Sequence, residues 1–429
     1  ILISKNKITL ALILSSYLGV SISFNDLYLF HIFFIISFLV WLYEFKKNKY
    51  IFNYSFLLKK YVKTLILILL WYFLSLIWAP DKVLGLKYLF YLICGFIITA
   101  SIILFSSNIK NLNIVFKLLS IIVLVEIVIA FLESFTGFRM PISSYSSLST
   151  FFGKDPVNFS EFDGILSYTN FSPPTGFRWN TNDLAISMAI SLPFFLCSKR
   201  TIVQIFGIFS ISSIVIMTAS RAVFLSLILI FSLYLLMIKK RLGTLSIMWI
   251  TSIGLLFSLS VFSNSENPRL NEIGNSLEAL NLYVRGEIDV GGSIEWRREL
   301  VNDGLEAFKK TYGRGLGSGG SVANQELVGP VAGRFTSMHN FWIEILVEGG
   351  VLAFALVSIF LISLVFNLFK IARSNLNDPI KYLSQSLFLS LAAFIPAAIA
   401  ASSTIYFFPM WILFGLSISV IDLSNKKLA

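Results

Sequence analysis

Thr336-Ser337-Met338-His339-Asn340-Phe341-Trp342-Ile343-Glu344-Ile345-Leu346-Val347-Glu348-Gly349-Gly350 passes from a polar, arginine-bearing segment into an apolar run, 350–368, that holds no charged residue. A helix needs roughly 17–25 residues to cross about 30 Å of hydrocarbon. The junction therefore marks a polar segment feeding a membrane span. It also carries His339, one of only two histidines in 429 residues. Near neutral pH a general base is most readily a histidine. A histidine at a membrane surface, downstream of many arginines, points to chemistry on a phosphate-bearing substrate.

Outward from this junction the chain is mostly apolar. Hydrophobic residues make up 56% and charged residues 13%, with a mean hydropathy of +0.80, which excludes an ordinary soluble domain. The apolar runs fall near 8–24, 27–43, 64–79, 88–105, 114–133, 182–198, 203–219, 222–238, 245–262, 350–368, 382–400 and 405–421, twelve in all. Gly and Ser inside them are tolerated in membrane helices. The first run lacks a small-x-small cleavage pattern and is expected to be a retained span. Cys94 and Cys197 lie in apolar runs expected at opposite faces, so no disulfide is expected between them. The 42 phenylalanines suit lipid contact and carry no chemistry.

Alternate connections hold 20 of the 34 basic residues, and 17 of those 20 are lysine. Under the positive-inside rule these connections and both termini are cytoplasmic. Of the 14 basic residues left on the outer side, nine are arginine, at positions 139, 178, 221, 269, 285, 297, 298, 314 and 334. Orientation needs only charge, whereas the planar arginine fork binds phosphate or carboxylate in a bidentate way. The alternative is solvated loop charge paired with nearby Asp and Glu. The expected fold is an all-α polytopic membrane protein of about twelve transmembrane helices. It forms one membrane domain, 1–429, with outer segments 134–181 and 263–338. The second, expected to be catalytic, carries two amphipathic patterns, Ile273-Leu277-Leu280-Val284 and Trp296-Leu300-Leu305-Phe308, the latter stopped by Gly313.

Arg221 follows Thr218-Ala219-Ser220 at an outer turn too short to carry it far from the hydrocarbon. A charge at mid-membrane costs about 2.5–3.5 kcal/mol, so either the side chain snorkels or an anionic headgroup meets it. Arg178 stands just before another span, where Asn182 or Asp183 is placed to cap the helix and free N–H groups face a ligand. Arg297 and Arg298 open the second amphipathic pattern, with Glu295 and Glu299 as alternative surface partners. Glu344, about 140° around an ideal helix from His339, faces Asn340 and reads as structural. Gly315-Leu316-Gly317-Ser318-Gly319-Gly320 follows no strand and is expected to be a flexible hinge rather than a nucleotide loop. Asp155, Glu161 and Asp163 match no defensible metal spacing. His31 reads as a packed polar residue, and Glu126 as a buried carboxyl, protonated or hydrogen-bonded, or a proton relay.

From about Phe171 onward the chain resembles the O-antigen ligase/polymerase family of bacterial membrane glycosyltransferases. Four pieces carry the resemblance: Gly176 to Ala185 with its Asn180 and Asn182, Ser220-Arg221-Ala222, Arg297-Arg298-Glu299 running to Gly313-Arg314-Gly315-Leu316-Gly317, and His339-Asn340 followed by Glu344 and Gly349. The usual proline before Gly313 is absent, Arg178 has no certain equivalent, and spacing to Gly304 favours Arg297 over Arg298 for the family role.

The resemblance implies transfer of a glycan from an undecaprenyl-diphosphate carrier to an acceptor hydroxyl, without nucleotide sugar, metal or cofactor. Arg221 and Arg297, with Arg178 and Arg298 as further candidates, would hold the diphosphate. His339 would take the hydroxyl proton, supported by Asn340 and Glu344. The partners implied are lipid-linked donor and acceptor glycans, the bilayer and a chain-length regulator protein, with no nucleic acid. The location implied is the bacterial cytoplasmic membrane, with the site facing outward. Polymerisation of lipid-linked repeat units into O-antigen, capsule or exopolysaccharide is favoured over ligation to lipid A–core or to protein, because no lipid A–core surface is evident. A flippase or transporter would show related halves and charges near the midplane, and neither is seen.

Overall fold

Positions 112, 115, 119, 122, 126, 130 and 133 recur at helical spacing, and all are buried along one face of a continuous helix, Ile109–Phe135. The opposite face shows Ile121, Val125, Val128 and Leu132 to the surroundings. A helix apolar on its outer face and carrying carboxyls on its inner one suits lipid outside and protein within.

The computed structural model describes residues 5–24, 27–46, 56–153, 156, 173–218, 220–239, 293–328, 337–376, 379–401 and 405–428. Among these the helices in chain order are α1 (Lys5–Leu18), α2 (Leu29–Lys46), α3 (Phe56–Ser75), α4 (Lys82–Phe105), α5 (Ile109–Phe135), α6 (Thr181–Leu196), α7 (Thr201–Thr218) and α8 (Arg221–Leu233). A π-helical turn, Tyr234–Lys239, extends α8. Then come α9 (Ser293–Lys310), α10 (Gly320–Val328), α11 (Phe341–Arg373), α12 (Ile380–Ala397) and α13 (Phe408–Leu428). Seven helical stretches among the described residues are long and apolar enough to cross a membrane. The protein is an all-α polytopic membrane protein. Eleven of the twelve expected runs coincide with helices, and 245–262 lies outside the described residues, as do the stripe at 273–284 and the acidic positions 155, 161 and 163.

The first run is shorter than expected. Helix α1 stops at Leu18, Gly19 adopts φ +54°, and the chain forms a two-residue ladder, Ser23–Phe24 against Leu27–Tyr28. A ladder of that length leaves no periodicity to read. Beyond it, His31 is buried near the start of α2 and accepts the Tyr28 N–H at Nδ1, 3.0 Å away.

Helix α13 is buried nearly throughout and crosses α4 closely. Gly95 leaves room for the Trp411 indole, Gly415 leaves room for Ile102, and Thr99 Oγ1 donates to the Trp411 carbonyl at 2.9 Å. Small residues at crossings let backbones approach where lipid offers no hydrophobic drive. Helix α12 runs antiparallel to α6, because Tyr382 near its start donates to Phe194 O at 2.6 Å and Ser390 donates to Ile190 O at 2.6 Å. Helix α8 packs along α12 as well. The starts of α6 and α8 and the end of α12 therefore share one end of the bundle.

Helix α9 ends at Lys310, and Tyr312 and Gly313 both take positive φ. The Lys310–Glu306 pair in its last turn is exposed, with a 3.9 Å separation that contributes little. Position 325, a tempting reporter of sidedness, is a poor one because Gln325 is fully buried in α10. A cysteine in place of the exposed Lys310 is expected to react with an impermeant thiol reagent in intact cells, or in spheroplasts where an outer membrane exists. Labelling of Lys310→Cys only after lysis would reverse the proposed orientation.

Candidate active site

Asn340 starts the site. Its Oδ1 accepts the N–H groups of Trp342 at 3.1 Å and Ile343 at 3.3 Å, so it caps α11. The cap is Asn340 and not His339, which removes helix capping as the reason for a histidine here. His339 precedes the cap with φ +47°, a left-handed conformation uncommon outside glycine. Backbone in such regions is held by its surroundings and clusters at functional sites. The start of α11 is tied to the end of α12 by Phe341 N–H donating to Ala398 O at 3.2 Å.

Helix α9 is the second part. Along it Leu300 and Gly304 are buried, Arg297 is half-buried, and Arg298, Asn302 and Glu306 are exposed. Arg297 and Gly304 are seven residues apart and so share a helix face. Gly304 lies against Met338, whose flexible Cε end occupies the space a Cβ would take. That contact presses α9 against the residue preceding His339, with Arg297 two turns further along the same face. His339 responds. Its Nδ1 is buried although the residue keeps some exposed surface, and its pKa falls to about 4, first through burial and then through the Arg297 charge. The fold thus brings His339 and Arg297 together and turns Arg298 outward.

The glycine segment is not the flexible hinge expected from its composition. Leu316 N–H donates to Val347 O at 2.8 Å, Gly317 N–H to Glu348 O at 2.9 Å, and Val351 N–H to Gly313 O at 3.0 Å. A Cβ on Gly315 would strike Glu348 O, and one on Gly317 would lie 2.8 Å from Ser75 O. Ser318 is buried, with its N–H on Ser75 Oγ at 3.0 Å and its hydroxyl on Gly85 O at 2.9 Å. Gly350 (φ 69°, ψ −172°) kinks α11 where the segment docks, a conformation essentially reserved for glycine. The glycines provide close backbone approach rather than mobility.

Glu344 and Glu348 are buried one turn apart on α11. Ser321 of α10 donates its hydroxyl to Glu348 Oε1 at 2.6 Å. Glu348 had no distinguishing signal in the sequence.

Arg178 stands apart from this group. Its Nε lies 3.2 Å from Glu126 Oε1, Nη1 donates to the Tyr17 carbonyl at 2.7 Å, and the guanidinium stacks 4.7 Å over the Tyr17 ring. Tyr17 in turn donates to Glu126 Oε2 at 2.7 Å. The helix behind Arg178 is capped by Asn180, which accepts the Asp183 N–H at 2.9 Å, and not by Asn182 or Asp183 as expected. Arg178 and Asp183 both line a cavity of about 380 Å³ that also reaches Ser337.

Glu133, unremarked in the sequence, anchors the segment that follows α5 to the one that precedes α6. It accepts Thr175 N–H and Gly176 N–H at 2.7 Å each and Met140 N–H at 3.0 Å. Its seven-residue spacing from Glu126 on one helix face was the available signal. Arg139 fastens the other limb through Pro173 O at 2.8 Å. Arg221 is half-buried at the start of α8, at the bundle end shared by α6, α12 and the start of α11.

A family model described as O-Antigen ligase matches residues 206–358, which take in Arg221, Arg297, the glycine segment and His339 but not Arg178. The chain is also similar to the teichuronic acid biosynthesis protein TuaE of Bacillus subtilis (strain 168), 21% identical over 362 residues that cover 82% of this chain and 70% of the relative. His339 and Arg297 both lie inside the region that the family model matches. Over residues 206–358 the chain is similar to the O-antigen ligase family, and over most of its length to a protein of teichuronic acid biosynthesis, and the two likenesses together support the O-antigen ligase/polymerase family.

Proposed function

We propose that the protein transfers a glycan from an undecaprenyl-diphosphate carrier to a hydroxyl of another lipid-linked repeat unit, extending O-antigen, capsule or exopolysaccharide at the outer face of the bacterial cytoplasmic membrane. The observation that carries this reading is the pairing of His339 with Arg297 across the Gly304–Met338 contact. The acceptor oxygen attacks the anomeric carbon of the donor sugar, and the bond from that carbon to the diphosphate oxygen breaks. The hydroxyl proton passes to His339, and undecaprenyl diphosphate leaves with its negative charge facing Arg297 and Arg221. The leaving group is already activated, so the protein mainly positions the acceptor and stabilises charge.

The low basicity of His339 fits this sequence of events. A diphosphate against Arg297 offsets the positive charge that depresses the imidazole. Substrate binding therefore raises the basicity of His339 when a proton acceptor is needed. Ligation to lipid A–core is the second reading, favoured by the description of the matching family model.

Purified protein incubated with the lipid-linked repeat unit of its own strain is expected to produce a ladder of longer lipid-linked glycans. Transfer only onto a lipid A–core acceptor would instead identify a ligase, and an inert wild-type protein would reject both. Arg221→Lys keeps the charge and loses the fork. It is expected to reduce transfer at least tenfold at unchanged protein level. Wild-type rates in Arg221→Lys would exclude a bidentate phosphate contact there.

A further inference from the structure

The cavity that reaches Ser337, two residues before His339, has a chemistry that the reading above does not use. At about 380 Å³ it falls within the usual size range of small-molecule sites, roughly 300–1,000 Å³. Tyr28, Tyr88, Tyr91, Tyr406 and Trp179 form much of its wall. Tyr406 meets Tyr88 and Tyr91 edge-on, with ring centroids 5.4 and 4.8 Å apart. Between the rings are a few polar groups, chiefly Arg178, Asp183 and Lys87, and Ser337 closes one side.

Arg178 gives the sharper clue. It is 5% exposed, its Nε faces Glu126, and its Nη1 is bound to the Tyr17 carbonyl. Its buried Nη2 has no hydrogen-bond partner among the described residues. A buried donor without a partner costs roughly 1–3 kcal/mol, and Arg178 is one of the charged residues that line the cavity.

Three occupants can be weighed. A hydrocarbon chain would leave Arg178 and Asp183 facing apolar atoms. A free phosphate would meet Asp183, and the Arg178 charge is already offset by Glu126. A saccharide suits both features, because its C–H faces lie against aromatic rings while its hydroxyls donate to carboxylates and accept from guanidinium.

We propose that this cavity is the subsite for the sugar that presents the attacking hydroxyl, a claim that rests on the glycan-transfer reading. The side of the reaction follows from position. The wall includes Ser337, two residues before His339, whereas Arg221 and Arg297, the cations assigned to the diphosphate, are not among its lining residues. A sugar stacked on Tyr406 and held by Arg178 and Asp183 directs one hydroxyl toward the Ser337 side of the cavity. The aromatic wall, rather than the diphosphate cations, then selects which repeat unit is extended.

The test uses the oligosaccharide released by mild acid from the strain's own lipid-linked precursor, which carries neither lipid nor diphosphate. Wild-type protein in detergent is expected to bind it, with a change in tryptophan fluorescence. Tyr406→Ala is expected to weaken this binding, and to raise the acceptor KM, about tenfold, the worth of one aromatic contact. Tyr406→Phe keeps the ring and is expected to restore both. Asp183→Asn provides an independent variant, with thermal melting to show that each protein is folded. No binding by wild type, or equal binding by wild type and a folded Tyr406→Ala, overturns the subsite. A variant that weakens only the KM for lipid-linked donor moves the cavity to the donor side and overturns it equally. Tight glycan binding by a wild-type protein that never transfers sugar leaves the subsite standing and rejects the transferase reading instead.

Discussion

Replacing His339 by asparagine is expected to lower glycan transfer by about 10²–10⁴-fold, the usual worth of a general base. Asparagine is the informative choice because the backbone at this position has φ +47°. Asparagine tolerates that region, whereas alanine adds roughly 1–2 kcal/mol of strain and mixes a folding defect with a chemical one. Donor binding should persist in His339→Asn, since the diphosphate is assigned to Arg221 and Arg297. Turnover near the wild-type rate would remove His339 from the chemistry.

The pH dependence adds a second readout. The folded His339 has a pKa of about 4, below its ordinary value of about 6.5. Between those values the unfolded chain takes up the proton more readily than the folded one. Acidification from 6.5 to 4 therefore removes stability, and none of this contribution remains below about 4. The neutral, proton-accepting form survives over the same interval. The acid limb of kcat/KM, which reports the free enzyme, is expected near pH 4. In Arg297→Gln it should move upward but stop short of 6.5, because burial, the larger cause, remains. A wild-type limb between 6 and 7 would contradict the coupling.

Glu126→Ala is expected to cost about 3–5 kcal/mol of stability, the usual penalty for breaking a buried ion pair by removing one partner. Glu126 is fully buried, and the Arg178 side chain is 6% exposed. The deletion strands a guanidinium among Tyr17 and Phe407 and also removes the acceptor of the Tyr17 hydroxyl. Few single substitutions reach this size, and those that do leave a charge without its partner. Removing both charges, as in Glu126→Leu with Arg178→Met, should cost much less than the sum of the single changes. Chemical or thermal unfolding in detergent measures the difference. A loss below 1 kcal/mol for Glu126→Ala would show that the pair is not buried in the native protein.

Different parts of the protein were legible to different degrees. The spans were, because hydropathy is a local sum over about twenty neighbouring residues, and the eleven runs that fall within the described residues lie on helices. The preference for Arg297 over Arg298 was also available, since a seven-residue spacing places Arg297 on the Gly304 face. The glycine segment misled because composition reports conformational freedom and not contact. Its backbone is fixed by the carbonyls of Val347 and Glu348 and by the Ser75 hydroxyl, which are remote or one element away.

By itself the sequence determined the membrane class, the late polar segment and the residue types able to do the chemistry, because each depends on the identity or spacing of neighbouring residues. Only the tertiary structure decided which partners those charges meet. Arg178, one of several outer arginines along the chain, is tied to Glu126 and Tyr17 by a fold that brings α1, α5 and the start of α6 together. His339 acquires its low basicity in the same way, from burial and from an arginine on another helix. Desolvation and charge pairing act between residues distant along the chain, and no local pattern records them.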